Sequence, residues 1–299
     1  MKGLFVKIIL GLCIVLTLSS MFERSYAEGA GFSRSYDQAQ WLNGPLYEAA
    51  ETSVRYKYRA AYIAAGYFQA VKRVMMPIDH QNGLILAFGD SNTQGANWQA
   101  NGYDVKDKWV NKLAQSQAVI NAGIGGNTTE HGRIRFEKDV LSKHPQIVLI
   151  MFGTNDAALD DNGQPQVSKA QYEENINYFV DTLQGRGIDV ILMTTIPVIE
   201  RYYYSRNDGN LYSPYGSARR WHDSYNMIVR KIAKEKHVLL VDHYRNITEP
   251  MRGVNDQKLI DSGLIDASGT HFTPKGAAFI YRRIHLAVQC LSIFNSGIN

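Results

Sequence analysis

Three short segments of this chain place polar groups directly after apolar runs. Phe88-Gly89-Asp90-Ser91-Asn92 is the first, Asn121 to Thr128 with its three glycines is the second, and Phe152-Gly-Thr-Asn155-Asp156 is the third. Glycine allows a sharp turn at each junction, which would expose the Ser91 hydroxyl and bring backbone N–H groups close to a ligand. Asn155 adds a neutral amide donor, suited to a point where negative charge develops. The three segments therefore predict a hydroxyl surrounded by hydrogen-bond donors.

The rest of the chain from residue 83 onward predicts the scaffold that gathers these segments. Five short apolar runs carry little alternation, as expected of strands that are covered on both faces: 84–88, 118–121, 147–152, 190–194 and 238–241. Helix candidates near 104–116, 130–143, 169–185, 217–236 and 274–293 separate and follow them. Strand followed by helix, repeated five times, predicts a parallel sheet in a three-layer α/β/α sandwich. In such a sheet, ligands bind at the carboxyl ends of the strands, where the three polar segments begin.

The three segments, in this order, resemble the conserved blocks of the SGNH/GDSL hydrolases, and the similarity runs from about Leu84 to Ala287. The resemblance implies a flavodoxin-like sheet, an α/β fold and hydrolysis of esters or thioesters without a metal or organic cofactor. It implies that Ser91 is the nucleophile and His271 its base. It also implies that Gly126 and Asn155, with the N–H of Ser91, form the oxyanion hole.

The fourth block departs from the family pattern. The family places an aspartate three residues before the histidine, but that position holds Ser268 here, and the nearest acid is Asp266. Thr273 and Pro274 resemble the cap and first turn of the last helix, which supports the position of His271. Two alternatives follow: Asp266 orients the imidazole and completes a triad, or a backbone carbonyl does so and the site is a Ser–His dyad. We favour Asp266 and expect its carboxylate within hydrogen-bond reach of His271 Nδ1.

Aromatic and basic residues indicate where a substrate would bind. The irregular stretch 200–217 follows the fourth strand, and loops of this length are uncommon unless they are functional. We predict that Trp98, Tyr203 and Arg220 contact the substrate, because flat rings stack on sugars and arginine donates to hydroxyl or acidic groups. The chain has no cluster with metal-ligand spacing. The sequence therefore predicts a small-molecule or glycan ester as substrate, with a small acyl group such as acetyl.

The first 27 residues have the layout of a secretory signal peptide. Lys2 and Lys7 precede an apolar run that is shorter than the roughly 20 residues of a spanning helix, and small residues precede Ala27. We therefore expect cleavage after Ala27, export and no stable insertion in the membrane. Leu12 is too large for a lipoprotein signal at Cys13. Removal of 1–27 lowers the formal charge from +4 to +2, which argues against nucleic acid as a partner.

The predicted organisation is a signal peptide over 1–27, an N-terminal extension over 28–82 with a helix from about Pro45 to Val74, and a hydrolase domain over 83–299. Three other functions use the same residues: a glycan O-acyltransferase, a lipase or thioesterase for longer acyl chains, and a weakened glycan-binding pseudoenzyme. The sequence does not determine the oligomeric state.

Overall fold

A computed structural model describes residues 83–296, so the predicted signal peptide and N-terminal extension lie outside the described residues. Five parallel strands form one sheet in the order β2-β1-β3-β4-β5. Their bounds are β1 Ile85–Gly89, β2 Val119–Gly123, β3 Ile147–Met151, β4 Asp189–Met193 and β5 Leu239–Val241. Every predicted strand is present, and no strand end is displaced by more than two residues. The prediction of a five-stranded parallel sheet is confirmed.

Helices cover both faces of this sheet. They are α1 Ser91–Gln94, α2 Trp109–Leu113, α3 Thr129–Asp139, α4 Lys169–Gln184, α5 Glu200–Tyr203, α6 Ala218–Glu235, α7 His243–Thr248, α8 Asp256–Ser262 and α9 Pro274–Ser296. One apolar cluster joins the sheet to α3, α4 and α6, and a second joins the opposite face to α2 and α9. Alternate β1 residues serve the two clusters, since Leu86 and Phe88 face the first whereas Ile85 and Ala87 face the second. The result is the predicted three-layer sandwich.

The stretch after β4 differs from the prediction of one long irregular loop. It contains α5 and a 3₁₀ helix, Gly209–Tyr215. Tyr203 and Tyr212 from these elements are buried in the first apolar cluster, and their hydroxyls lie 2.9 Å apart. Aromatic burial rather than solvation therefore organises the segment. Within residues 83–296, no helix combines the length and the apolar character needed to cross a membrane.

Candidate active site

Ser91 lies where β1 turns into α1. A Cβ at Gly89 would come within 2.2 Å of Thr93 Oγ1 and 2.4 Å of Met151 O, so glycine alone fits at the end of the strand. Asp90 then caps α1 by accepting a hydrogen bond from the N–H of Asn92 at 2.9 Å. Ser91 is the first helical residue, and its N–H therefore has no acceptor within the helix. The turn leaves both the hydroxyl and the N–H of Ser91 at the carboxyl end of the sheet.

His271 meets Ser91 from the opposite end of the sequence. Its Nε2 lies 2.9 Å from Ser91 Oγ. The histidine belongs to a segment that folds back on itself, since Ile265 and Phe272 form an antiparallel bridge and the N–H of Asp266 donates to His271 O at 2.9 Å. The structure thus brings together the two residues that the sequence predicts as nucleophile and base.

The contact on the other imidazole nitrogen differs from the prediction. The hydroxyl of Ser268, rather than a carboxylate or a backbone carbonyl, lies 3.0 Å from His271 Nδ1. Asp266 is buried behind it and accepts hydrogen bonds from the N–H of Ser268 at 2.8 Å and from the Ser268 hydroxyl. The expectation of a direct Asp266–His271 hydrogen bond is wrong. The turn at Gly269 (φ +78°) directs position 268, not position 266, toward the ring.

The pKa of His271 is lowered from its usual value, chiefly because the ring is removed from water. The charge of Asp266 opposes this effect, whereas the charge of Arg206 adds to it. Arg206 donates to Ser268 O and, at 3.2 Å, to Thr270 Oγ1, so its guanidinium is attached to the same turn. At neutral pH the imidazole is therefore unprotonated at one nitrogen, as a general base must be.

The predicted oxyanion donors come from the two strands that flank β1. Gly126, in the loop after β2, has φ +77°, and a Cβ there would meet nothing within 4 Å, so backbone conformation rather than space favours glycine. Asn155 follows β3 and uses one amide hydrogen in a 2.9 Å bond to Asn127 O. Its second amide hydrogen is available to a ligand. Ser91, Gly126 and Asn155 thus follow three adjacent strands at the carboxyl end of the sheet.

Arg135 of α3 is a part of this region that the sequence analysis missed. Its guanidinium donates to Gly89 O at 3.0 Å, Ala122 O at 2.7 Å and Asn127 Oδ1 at 2.9 Å. It therefore ties the end of β1 to the end of β2 and to the residue that holds Asn155. Nothing in the sequence distinguishes Arg135 from other arginines on surface helices.

Two aspartates next to the predicted site, Asp90 and Asp156, are buried and accept hydrogen bonds from neighbouring loops. Asp156 accepts hydrogen bonds from the N–H of Thr129 at 2.8 Å and from its hydroxyl at 2.5 Å. Burial raises the pKa of Asp90 to about 7 and that of Asp156 to about 6. The nearby charge of Asp156 contributes to the rise at Asp90. Proton binding by these groups therefore affects the fold around Ser91.

The three predicted substrate contacts have different outcomes. Trp98 lines a cavity of about 10 Å³ beside Ser91 and His271. Tyr203 is 4% exposed and packs in the core, so the prediction of a stacking surface there is wrong. Arg220 is exposed, and its side chain lies beside Gly216, which lines a separate polar cavity of about 360 Å³. Among residues 83–296, no group of three or more His, Cys, Asp or Glu is arranged to hold a metal ion.

Comparisons with known proteins identify the family to which this sequence is similar. Residues 87–279 match the model of the GDSL-like Lipase/Acylhydrolase family. The chain is 47% identical over 211 residues to the uncharacterized lipoprotein YqeF of Bacillus subtilis, covering 67% of this chain and 87% of YqeF. It is 30% identical over 138 residues to an acetylxylan esterase of Geobacillus stearothermophilus, covering 45% of this chain and 58% of that protein.

The fold also matches solved structures. A crystal structure of the acetylxylan esterase Axe2 from Geobacillus stearothermophilus aligns with a TM-score of 0.53 and 24% sequence identity. The alignment covers 69% of this chain and 94% of that one. At this identity the match supports the three-layer fold and the order of its strands.

Proposed function

The chain belongs to the GDSL-like lipase/acylhydrolase family and is a carboxylic ester hydrolase, and we propose that it removes acetyl groups from a carbohydrate through an acyl intermediate on Ser91. The observation that supports the assignment of nucleophile and base is the 2.9 Å contact between Ser91 Oγ and His271 Nε2. A hydroxyl and an acceptor nitrogen at this distance are what activation of a serine requires.

The reaction follows from these positions. Ser91 Oγ attacks the ester carbonyl carbon while its proton moves to His271 Nε2. The N–H groups of Ser91 and Gly126 and the amide of Asn155 hold the resulting oxyanion, and loss of one such donor typically costs about 3–4 kcal/mol in the transition state. His271 then gives the proton to the leaving alcohol. Water, deprotonated by the same nitrogen, releases the acyl group from Ser91.

The space beside Ser91 supports a small acyl group. The cavity there has a volume of about 10 Å³, and Trp98, Trp109 and Phe272 in its lining are buried. A volume of roughly 10–15 Å³ holds one water molecule, which is close in size to a methyl group. The methyl of an acetyl group fits this space, whereas a longer acyl chain requires the aromatic side chains to move.

A carbohydrate as the alcohol side of the ester is supported by the larger polar cavity. Its lining residues are Glu200, Tyr204, Gly209, Asn210, Ser213, Gly216 and Ser217. Hydroxyl, amide and carboxylate groups of this kind bind sugar hydroxyls. The segment that forms this cavity also contacts the histidine segment, because the N–H of Ile199 donates to Gly269 O at 3.0 Å. The similar enzyme from Geobacillus stearothermophilus is named an acetylxylan esterase, which agrees with this substrate class.

We further propose that residues 1–27 direct export, that 28–82 form an extension and that 83–299 form the hydrolase domain. The name of YqeF, a lipoprotein, supports an exported location. Mass spectrometry of the exported protein distinguishes two possible N-termini. A chain that begins at Glu28 supports cleavage after Ala27. A lipidated chain that begins at Cys13 would show a membrane anchor instead.

Acetate release tests the proposed activity. The purified chain from Glu28 is incubated with acetylated xylo-oligosaccharides and with nitrophenyl esters of two, four and eight carbons. We expect acetate release, a rate that falls steeply with acyl length, and no turnover by Ser91→Ala. Ser142→Ala, at an exposed serine that follows α3, is the matched control with full activity.

Three results would contradict the proposal. Turnover by folded Ser91→Ala would refute the nucleophile. A preference for the eight-carbon ester would indicate a lipase or thioesterase. Transfer of acetyl to an added sugar in preference to water would indicate an acyltransferase.

A further inference from the structure

We propose that Ser268 is a positioning residue that couples Asp266 to His271, so that a serine hydroxyl with a carboxylate behind it orients the base. This inference rests on the proposed function, because it assigns a role in the proton transfer between Ser91 and His271. It replaces both alternatives suggested by the sequence, in which either Asp266 or a backbone carbonyl contacts the ring.

The carboxylate behind Ser268 determines the direction of the hydrogen bond between Ser268 and His271. Its Oγ accepts from the backbone N–H of Thr270 at 3.2 Å and of His271 at 3.1 Å. A carboxylate has no proton to give, so the hydroxyl proton of Ser268 is donated to Asp266 Oδ1. Ser268 Oγ therefore faces His271 Nδ1 as an acceptor, at 3.0 Å, and Nδ1 carries the ring proton.

This tautomer leaves Nε2 without a proton, and Nε2 is the nitrogen 2.9 Å from Ser91 Oγ. The direction of three successive hydrogen bonds thus prepares the imidazole to accept the proton of Ser91. A serine hydroxyl alone does not fix a tautomer, because it can donate or accept. The carboxylate behind it removes this ambiguity by taking the hydroxyl proton.

Asp266 is held firmly enough for this role. It is 8% exposed, and its Oδ1 also accepts from the N–H of Ser268 at 2.8 Å. Its Oδ2 accepts from Asn101 Nδ2 at 3.2 Å, so both carboxylate oxygens have partners. The charge of Asp266 acts on His271 across the hydroxyl and favours the protonated ring.

Only one proton changes its place in the step. The proton of Ser91 Oγ moves to Nε2 as Oγ forms its bond to the carbonyl carbon. The proton on Nδ1 and the proton on Ser268 Oγ remain where they are. Ser268 stabilises the imidazolium through its polarised hydroxyl, which points its negative end toward Nδ1–H.

A double-mutant cycle tests the coupling. Ser268→Ala should lower kcat on an acetyl ester about 100-fold, less than the roughly 10⁴-fold loss seen when a catalytic histidine is held in the wrong tautomer. Asp266→Asn should cause a loss of similar size. In the double variant the loss should stay within about 3-fold of that of Ser268→Ala, because Asp266 acts through Ser268.

Exchange of the two side chains gives a second test. The double substitution Asp266→Ser with Ser268→Asp places the acid three residues before His271. Its kcat should be at least 10-fold higher than that of Ser268→Ala. Ser268→Thr, which keeps the hydroxyl, should also recover most of the lost activity and covers the case in which Ser268→Ala does not fold. Ser262→Ala, at a serine of α8 whose hydroxyl donates to Leu259 O, is the control with unchanged activity.

The pH dependence of kcat/KM separates this role from a merely structural one. The acidic limb of this profile is the range in which kcat/KM falls because His271 becomes protonated. The charge of Asp266 raises the pKa of His271, so Asp266→Asn should move the acidic limb to lower pH. Proton NMR at low temperature should show a downfield Nδ1–H signal of His271 in the wild type that is lost in Ser268→Ala.

Several results would overturn the inference. Activity of Ser268→Ala within 3-fold of the wild type would do so, as would losses in the two single variants that multiply in the double variant. An unchanged acidic limb in Asp266→Asn would also contradict it. Failure of the proposed function is distinct, because the wild type would then not hydrolyse esters or Ser91→Ala would retain activity.

Discussion

Asp90→Asn should change how the stability of the protein depends on pH. Asp90 is fully buried next to Ser91, and burial raises its pKa from 3.8 to about 7. Near pH 5 the folded protein keeps a proton on Asp90 that the unfolded chain has largely released. Because the folded state binds more protons, the contribution of Asp90 to the free energy of unfolding is largest at low pH and decreases as pH rises toward 7.

The size of the effect follows from the two pKa values of Asp90. At about 1.4 kcal/mol for each pKa unit, they correspond to about 4 kcal/mol in total, of which about 3 kcal/mol falls between pH 5 and pH 8. Asparagine is neutral at every pH, and its side-chain oxygen can still accept the hydrogen bond from Asn92. The free energy of unfolding of Asp90→Asn minus that of the wild type should therefore be about 3 kcal/mol larger at pH 8 than at pH 5.

The difference between the two proteins must be measured, because the pH profile of the wild type alone hides the effect. His222 and His243 are buried, and burial lowers their pKa values to about 4 and about 3. Because of these histidines, the protein loses stability as pH falls below about 6.5, the pKa of histidine in the unfolded chain. This loss offsets the stability that Asp90 contributes at low pH. These histidines are the same in both proteins, so their contributions cancel in the comparison.

Urea unfolding near pH 5, 6.5 and 8, followed by tryptophan fluorescence, measures this difference. Asp161→Asn, at an exposed aspartate, is the matched control and should show no such trend. A constant offset between Asp90→Asn and the wild type at all three pH values would refute the reasoning, since it would mean that Asp90 is ionised in the folded protein throughout.

Three further predictions concern the site itself. Gly126→Ala should lower kcat about 10-fold by displacing an oxyanion donor, whereas Gly187→Ala, which also has positive φ and open space but precedes β4, should leave kcat unchanged. Arg135→Lys should lower kcat by a similar factor with little change in KM, because lysine cannot join the same three acceptors, and steady-state kinetics measure both constants. Arg206→Gln should raise the pKa of His271 and move the acidic limb of kcat/KM to higher pH, since a positive charge is removed; an unmoved limb would contradict this.

The sequence predicted the sheet well because strands that are buried on both faces are apolar at consecutive positions. β1 and β3 are buried at every position, and such uninterrupted apolar runs are hard to mistake once helices separate them. The sequence failed where aromatic residues are dense. Tyr203 was predicted to contact the substrate, although its ring is buried in the core.

The end of the sheet at which Ser91, Gly126 and Asn155 lie was predictable for a related reason. Each comes two to four residues after one of three adjacent strands, so the order of the strands places all three at the carboxyl end of the sheet. The contacts of His271 were not predictable in this way. They depend on the turn at Gly269, and sequence spacing does not specify which side chain such a turn directs inward.

Ile265 and Phe272 close the histidine segment on itself, and this has a consequence for interpreting related sequences. The side chains that orient His271 can differ between relatives without disturbing the strand ends proposed to hold the oxyanion, because the histidine segment and those strand ends come from distant stretches of the chain. A relative that lacks the acid three residues before its histidine is therefore not inactive on that ground. A hydroxyl residue at that position, followed by glycine and preceded by an acid two residues earlier, predicts the same arrangement as Asp266, Ser268 and Gly269.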